Sequence, residues 1–306
     1  MGIDVLQEKI RKRKNPTMLC LCPTWEHIPQ HIRTSAQQSY GDTLKAAAEA
    51  YRIFCFELMD TMRELIPAVS IELGCFQALG ADGIAAMQQV MAQAKELDYY
   101  VLFDMLRFDL PPAVDDLAKA CFGTISIGEK EYTPYPCDGV MLSAYLGGDG
   151  VLPFTKYCAE GKNVFLVAHS SNKSAREVQD LLSGDRVVYQ VMADLAMRWS
   201  GKLFGRYGYS EIGIAAGLPN SEVMRMLRQH YDRLFLLVPG YGTQGGAAKH
   251  TEYAFDRMGH GACIMAGRSI VYAYEKKESD GTDYLVHAKA AAEKMRDMLR
   301  VYTTVL

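Results

Sequence analysis

Eight short apolar runs, separated by longer segments with helical spacing, constrain the fold of this chain more than any other feature. Most of the runs are rich in valine, isoleucine, leucine or phenylalanine and do not alternate strictly with polar residues. That composition is typical of strands buried on both faces of a parallel sheet. The runs occupy residues 17–23, 68–74, 99–105, 139–145, 163–169, 211–217, 233–239 and 262–267.

The segments between and after the runs are predicted to be helices. They cover residues 34–66, 80–96, 112–122, 173–183, 187–206, 219–231, 247–258 and 283–300. Eight buried strands with helical crossovers predict a (β/α)8 TIM barrel, whose usual size suits a chain of 306 residues. An open doubly wound sheet is the alternative, although its dinucleotide-binding version is disfavoured because no G-x-G-x-x-G follows the first run. Without a linker or repeat, residues 1–306 are expected to form one domain with helical extensions at both ends.

Composition narrows the classes of function. A formal net charge of −3 gives no reason to expect nucleic acid or an anionic membrane as the main partner. No apolar stretch approaches the ~18 residues of a membrane span, and the basic N-terminal segment lacks the apolar core of a secretory signal. The eight cysteines are dispersed, which favours reduced thiols in a cytoplasmic protein. The leading interpretation below requires neither a cofactor nor a metal.

The ends of the last two runs predict a phosphate site. In a TIM barrel, functional groups collect after the carboxyl ends of the strands, and a phosphate commonly binds after strands seven and eight. The seventh run is followed by the glycine-rich segment PGYGTQGG (239–246), whose backbone N–H groups suit an anion. Arg268 follows the eighth run and can supply a bidentate cation. The alternative is a tight turn beside an unrelated surface arginine.

The segment LLVPGYGTQGG (236–246) resembles the phosphate loop of orotidine 5′-phosphate decarboxylases, in the longer bacterial-type subgroup. The likeness continues in YLGGDGVLPF, HSSNKSAREVQ and CIMAGRSIVYA. It implies a TIM-barrel protein of pyrimidine nucleotide biosynthesis that binds a nucleoside monophosphate and forms a homodimer. The ligand-binding residues that it implies are Cys22, Ser171, Pro239, Gly240, Gly242, Gln244, Gly245 and Arg268.

The resemblance fails at the residues that carry the chemistry. The family's third strand ends in D-x-K-R-x-D, and this chain has D-M-L-R-F-D at 104–109. Asp104 and Asp109 match the two aspartates, but Leu106 replaces the lysine that protonates the carbanion left by carbon dioxide. The family's other lysine falls near Ser70, and its ribose-binding aspartate falls on Cys22. The resemblance also implies that Asp109 reaches the partner subunit's site.

Losing the lysine has a calculable cost. Loss of general acid catalysis alone slows a reaction by ~10²–10⁴-fold, and loss of a preorganised cation beside the developing charge removes roughly another 10²–10³-fold. Two aspartates without lysine partners should repel each other, so that one takes up a proton or recruits a cation.

Three interpretations remain open at this point. The first is an inactive or redirected homologue that binds a phosphorylated, nucleotide-like ligand. The second is an active decarboxylase with an unrecognised proton donor. The third is a sugar-phosphate lyase with Mg²⁺ held by Asp104, Asp109 and Glu72.

Overall fold

Eight parallel strands close into a barrel within residues 2–277 and 279–304, which are the residues that the computed structural model describes. The strands follow one another around the barrel in chain order, and the last pairs with the first to close it. Each overlaps one predicted run, so the predicted TIM barrel is confirmed. The strands are β1 Thr17–Leu21, β2 Ala68–Glu72, β3 Tyr100–Arg107, β4 Gly139–Leu142, β5 Asn163–His169, β6 Ile212–Ala216, β7 Leu236–Val238 and β8 Ala262–Ala266.

The helices surround the barrel and extend it at both chain ends. Their bounds are α1 Gly2–Arg13, α2 Gln30–Tyr40, α3 Leu44–Met62, α4 Leu73–Gln77, α5 Gly80–Glu96, α6 Ala113–Phe122, α7 Leu152–Thr155, α8 Val188–Ser200, α9 Ser221–His230, α10 Arg268–Val271 and α11 Tyr284–Tyr302. Within the described residues, none of them combines the length and hydropathy of a transmembrane span.

The single helix predicted over 34–66 is wrong. Gly41 adopts φ +68°, which a non-glycine residue rarely adopts, and ends α2 at that point. The Thr43 hydroxyl then accepts a hydrogen bond from the Ala46 N–H at 3.2 Å and begins α3. Two helices therefore replace one.

Two further predicted helices are also wrong. The segment 173–183 forms one short 3₁₀ helix, Lys173–Glu177, and then enters a hairpin that turns at Gly184, where φ is +68°. The segment 247–258 forms two 3₁₀ turns. There the Thr251 hydroxyl donates to the Ala248 carbonyl at 2.6 Å, a local bond that competes with a continuous helix.

Helix α1 covers the bottom of the barrel, where the strands begin. The Ile3 N–H donates to Glu211 Oε2 at 3.1 Å, and Asn163 Nδ2 donates to the same oxygen at 2.6 Å. A Cβ on Gly2 would lie 2.3 Å from the Gly161 carbonyl oxygen, so only glycine permits this approach. Burial raises the pKa of Glu211 to about 7. With this end covered, a ligand reaches the barrel from the opposite end.

Side-chain size leaves space at that opposite end. The rings of Phe165 and Phe235 fill the lower interior, with their centroids 6.2 Å apart in an edge-to-face arrangement. Higher in the barrel, smaller side chains such as Ser70, Val167 and Ala215 line an open cavity. The strands therefore carry large side chains in the lower part of the barrel and smaller ones near their carboxyl ends, where the cavity lies.

Candidate ligand-binding site

A cavity of about 520 Å³ lies at the carboxyl ends of the strands. Most of the predicted site residues line it: Cys22, Ser70, Asp104, Leu106, Ser171, Pro239, Gly240, Gln244 and Arg268. Gly242 and Gly245 shape the loop behind the cavity, and Asp109 lies outside the lining. Its volume falls within the range of small-molecule sites, which is roughly 300–1,000 Å³.

Three glycines in the loop after β7 adopt backbone conformations in the left-handed region of φ/ψ space. Gly240, Gly242 and Gly245 have φ of +102°, +81° and +90°. The Gly242 N–H donates to the Gly246 carbonyl at 2.9 Å, and the Gly246 N–H donates to the Gly240 carbonyl at 3.1 Å. These bonds fold the loop on itself and fix its outline. The glycines are therefore required by backbone geometry, as the glycine-rich pattern predicts.

Unused hydrogen-bond donors converge at this loop. Within the described chain, the N–H groups of Tyr241, Thr243 and Gln244 donate to no other group. The exposed guanidinium of Arg268 likewise has no acidic partner among those residues. The Ser269 hydroxyl is enclosed and has no hydrogen-bond partner there either. Backbone donors beside such an arginine are groups that can bind an anion such as a phosphate monoester.

Across the cavity, the lining is acidic. Asp104 and Glu72 are register partners on neighbouring strands β3 and β2. Burial, reinforced by the charge of Glu72, raises the pKa of Asp104 to about 8. One of its oxygens, Oδ1, is enclosed without a hydrogen-bond partner among the described residues. Asp104 therefore holds a proton at neutral pH, and the cause is burial beside Glu72 rather than the repulsion by Asp109 that the sequence analysis expected.

The thiol of Cys20 responds to the same environment. Burial, together with the charges of Asp104 and Glu72, holds the pKa of the Cys20 thiol well above its ordinary value. Cys22 follows β1 and lines the cavity close by. Both side chains are free thiols, and Cys20 is a neutral group at physiological pH. Neither supplies positive charge to the acidic end.

Leu106 sits on a bulge at the end of β3. The register with β4 shifts between Asp104 and Arg107, and Leu106 itself adopts φ +46°, which is unusual for a leucine. Its side chain lines the cavity mouth. Arg107, which follows Leu106 at the end of the strand, is not among the residues that line the cavity.

Asp109 is paired, contrary to the expectation that both aspartates lack cationic partners. Arg107 Nε and Nη2 donate to its two carboxylate oxygens, each at 3.0 Å, and form a bidentate ion pair at the rim. The predicted mutual repulsion of Asp104 and Asp109 is therefore wrong. Asp109 does not line the cavity with Glu72 and Asp104, and no cluster of three potential metal ligands occurs among the described side chains.

Several cavity residues escaped the sequence analysis. Thr24 and Ser170 line the cavity within a few residues of a strand end, whereas Tyr241 and Thr243 were included only as members of the predicted loop 239–246. Proximity to a strand end was the signal that could have identified Thr24 and Ser170. His169, by contrast, is buried beside the cavity, and its Nε2 lies 3.0 Å from Asp180 Oδ1. That contact fits a structural histidine.

Comparisons with known proteins agree with this architecture. The family model described as "Orotidine 5'-phosphate decarboxylase / HUMPS family" matches residues 54–280. The chain is 29% identical over 300 residues to a protein named orotidine 5′-phosphate decarboxylase from Rhodopirellula baltica, covering 96% of this chain and 97% of that one. It is 28% identical over 304 residues to the protein of that name from Clostridium perfringens strain SM101, covering 98% of each.

Solved structures match the fold. The structure of Leishmania donovani OMP decarboxylase aligns with a TM-score of 0.72 at 22% identity, covering 98% of this chain and 100% of that one. Orotidine 5′-monophosphate decarboxylase from Methanocaldococcus jannaschii, complexed with the inhibitor BMP, aligns with a TM-score of 0.59 at 17% identity. That match covers 81% of this chain and 93% of that one.

Proposed function

Because the chain belongs to the orotidine 5′-phosphate decarboxylase / HUMPS family, we propose that its cavity binds a nucleoside monophosphate or a similar phosphate monoester. We propose further that the site does not decarboxylate orotidine monophosphate at the rate of an intact family member. One observation carries the second part: among the described residues that line the cavity, Arg268 is the single cationic side chain.

Support for phosphate binding comes from the loop after β7. Its free N–H groups and Arg268 converge on one side of the cavity, where no carboxylate lies among the lining residues. A phosphate monoester carries the charge and the acceptor oxygens that such donors require. The loop is also the segment in which the sequence most closely follows the family's phosphate-binding pattern.

Support for impaired catalysis comes from the opposite side. Decarboxylation of orotate leaves a carbanion, which needs positive charge beside it as it forms. The loop after β7 lies four strands from β3, which is the opposite side of an eight-stranded barrel. Arg268 follows β8, three strands from β3, and we assign it to the phosphate beside that loop rather than to the carbanion. Leu106 and Ser70 supply no charge, so we expect a loss of ~10⁴-fold or more.

An active decarboxylase is the second candidate, and one observation favours it. Asp104 is protonated at neutral pH because burial raises its pKa to about 8. In that case its carboxylic acid would deliver the proton that the family takes from lysine. The matched family members named above carry the decarboxylase name. Asp104 would still lack a neighbouring cation to stabilise the carbanion, which is why we place this function second.

We also propose that the protein is a cytoplasmic homodimer. The family resemblance supports this, and the rim beside β3 offers an apolar surface suited to a partner. Leu106, Phe108 and Leu110 are 50%, 54% and 53% exposed there, next to Asp109. Large exposed apolar side chains in one segment are typical of an interaction surface.

Calorimetric titration with uridine monophosphate tests the binding proposal. We expect Arg268→Ala to weaken binding by about 10- to 100-fold, the worth of a hydrogen-bonded charge pair. Arg257→Ala is the matched control, because Arg257 is an exposed arginine outside the cavity. Failure of the wild-type protein to bind either uridine monophosphate or inorganic phosphate would refute the proposal.

A further inference from the structure

We infer that this cavity selects phosphate monoesters whose ring is uncharged and carries hydrogen-bond donors, and that it discriminates against a ring bearing a carboxylate. The inference rests on the proposed function, because it assumes that the phosphate binds at the loop after β7. It concerns the other half of the ligand, which the acidic side of the cavity must accept.

The first step is the distribution of charge. A ligand whose phosphate contacts the loop after β7 extends across the cavity toward β3, four strands away around the barrel. There it meets Asp104 and Glu72, which are paired in register. No lysine or arginine lines that side among the described residues. A carboxylate on the ring would bring a further negative charge into a site that already disfavours one.

The second step is the enclosed oxygen of Asp104. Oδ1 is removed from solvent and accepts no hydrogen bond within the part of the chain that the structure describes. A buried oxygen without a partner is costly, and a ligand N–H or O–H group would relieve that cost. A ring carboxylate is ionised at neutral pH and has no hydrogen to donate. Oδ1 therefore favours a ligand that places an N–H or O–H group beside Asp104.

The third step is the apolar surface beside the acids. Leu106 and Met141, the register partner of Asp104 on β4, line the cavity beside Asp104 and offer contact to a flat, uncharged ring. These apolar side chains cannot replace the hydrogen bonds to water that a carboxylate loses on binding. The apolar contacts and the charges of the lining therefore both favour an uncharged ring over one that bears a carboxylate.

Orotidine monophosphate and uridine monophosphate form a matched pair of probes, because they differ only by the ring carboxylate. We expect the wild-type protein to bind uridine monophosphate at least 10-fold more tightly in calorimetric titration at neutral pH. Leu106→Lys should reduce this ratio by restoring a cation beside Asp104, and the exposed position of Leu106 makes the substitution compatible with folding. Asp116→Asn is the control, because Asp116 is an exposed carboxylate on α6 outside the cavity, and it should leave the ratio unchanged.

The outcomes separate the two proposals. If both nucleotides bind with equal affinity, or if orotidine monophosphate is converted to uridine monophosphate during the titration, the inference about the ring is overturned while phosphate binding stands. If neither nucleotide binds, the proposed function fails, and the inference fails with it. An unchanged ratio in Leu106→Lys would also contradict the electrostatic explanation.

Discussion

Replacing Asp104 with asparagine should stabilise the protein, and increasingly so as the pH rises. Asparagine keeps the shape of the side chain but cannot ionise. In the folded protein the pKa of Asp104 is about 8, whereas the ordinary value for aspartate is 3.8. A raised folded-state pKa means that the folded protein holds the proton more tightly than the unfolded chain. The associated stability is present at low pH and is lost as the pH rises from about 4 to about 8.

The size of the effect follows from the shift. Each pH unit within that window is worth about 1.4 kcal/mol, so three units between pH 5 and pH 8 correspond to about 4 kcal/mol. Asp104 lines an open cavity, where solvent screens part of the cost, so we expect about 2–4 kcal/mol. The difference in unfolding free energy between Asp104→Asn and the wild-type protein should therefore be about 2–4 kcal/mol larger at pH 8 than at pH 5.

Chemical denaturation at pH 5, 6, 7 and 8 measures this difference. The variant and the wild-type protein share every other titrating group, including Glu211, so their difference isolates Asp104. Asp116→Asn reports the effect of removing an exposed carboxylate of the same charge. A difference between Asp104→Asn and the wild-type protein that stays constant within about 1 kcal/mol from pH 5 to pH 8 would refute the reasoning.

Three further changes test other parts of the structure. Gly242→Ala should weaken binding of uridine monophosphate by about 10-fold or more in calorimetry, because φ is +81° there and a Cβ would lie 2.8 Å from Ser269 Oγ; unchanged affinity would contradict the loop geometry. Glu211→Gln should reduce the loss of unfolding free energy between about pH 5 and pH 7, because burial raises the pKa of Glu211 to about 7; an unaltered pH profile in denaturation would count against it. Leu106→Lys alone should not restore decarboxylation, since Ser70 also departs from the family pattern; substantial turnover in an absorbance assay would show that the defect is confined to one residue.

The strands and the glycine-rich loop after β7 could be predicted because their signals are local. An apolar run is typical of a strand buried in a parallel sheet, and the glycines of PGYGTQGG permit the left-handed conformations that the loop adopts at Gly240, Gly242 and Gly245. The helix errors have local causes as well. Gly41 and Thr43 form a stop and a start within the predicted helix 34–66, and the apolar spacing of that segment concealed them.

The ion pair at the rim and the raised pKa of Asp104 could not be predicted from sequence, because both depend on tertiary structure. Arg107 pairs with Asp109 beside the bulge at Leu106, and nothing in D-M-L-R-F-D predicts a positive φ at a leucine. The raised pKa of Asp104 likewise depends on burial and on Glu72, which lies 32 positions away in the chain but adjacent in the sheet. Spacing within one strand reveals neither fact.

Turnover of orotidine monophosphate is the measurement that tests the central claim most directly. Purified protein would be followed by loss of absorbance and by chromatography of the product, beside the Clostridium perfringens relative under the same conditions. We expect no uridine monophosphate above the enzyme-free blank at concentrations where the relative consumes its substrate completely. Turnover comparable to that of the relative would contradict the claim that a cavity with cationic charge on its phosphate side alone cannot stabilise the carbanion.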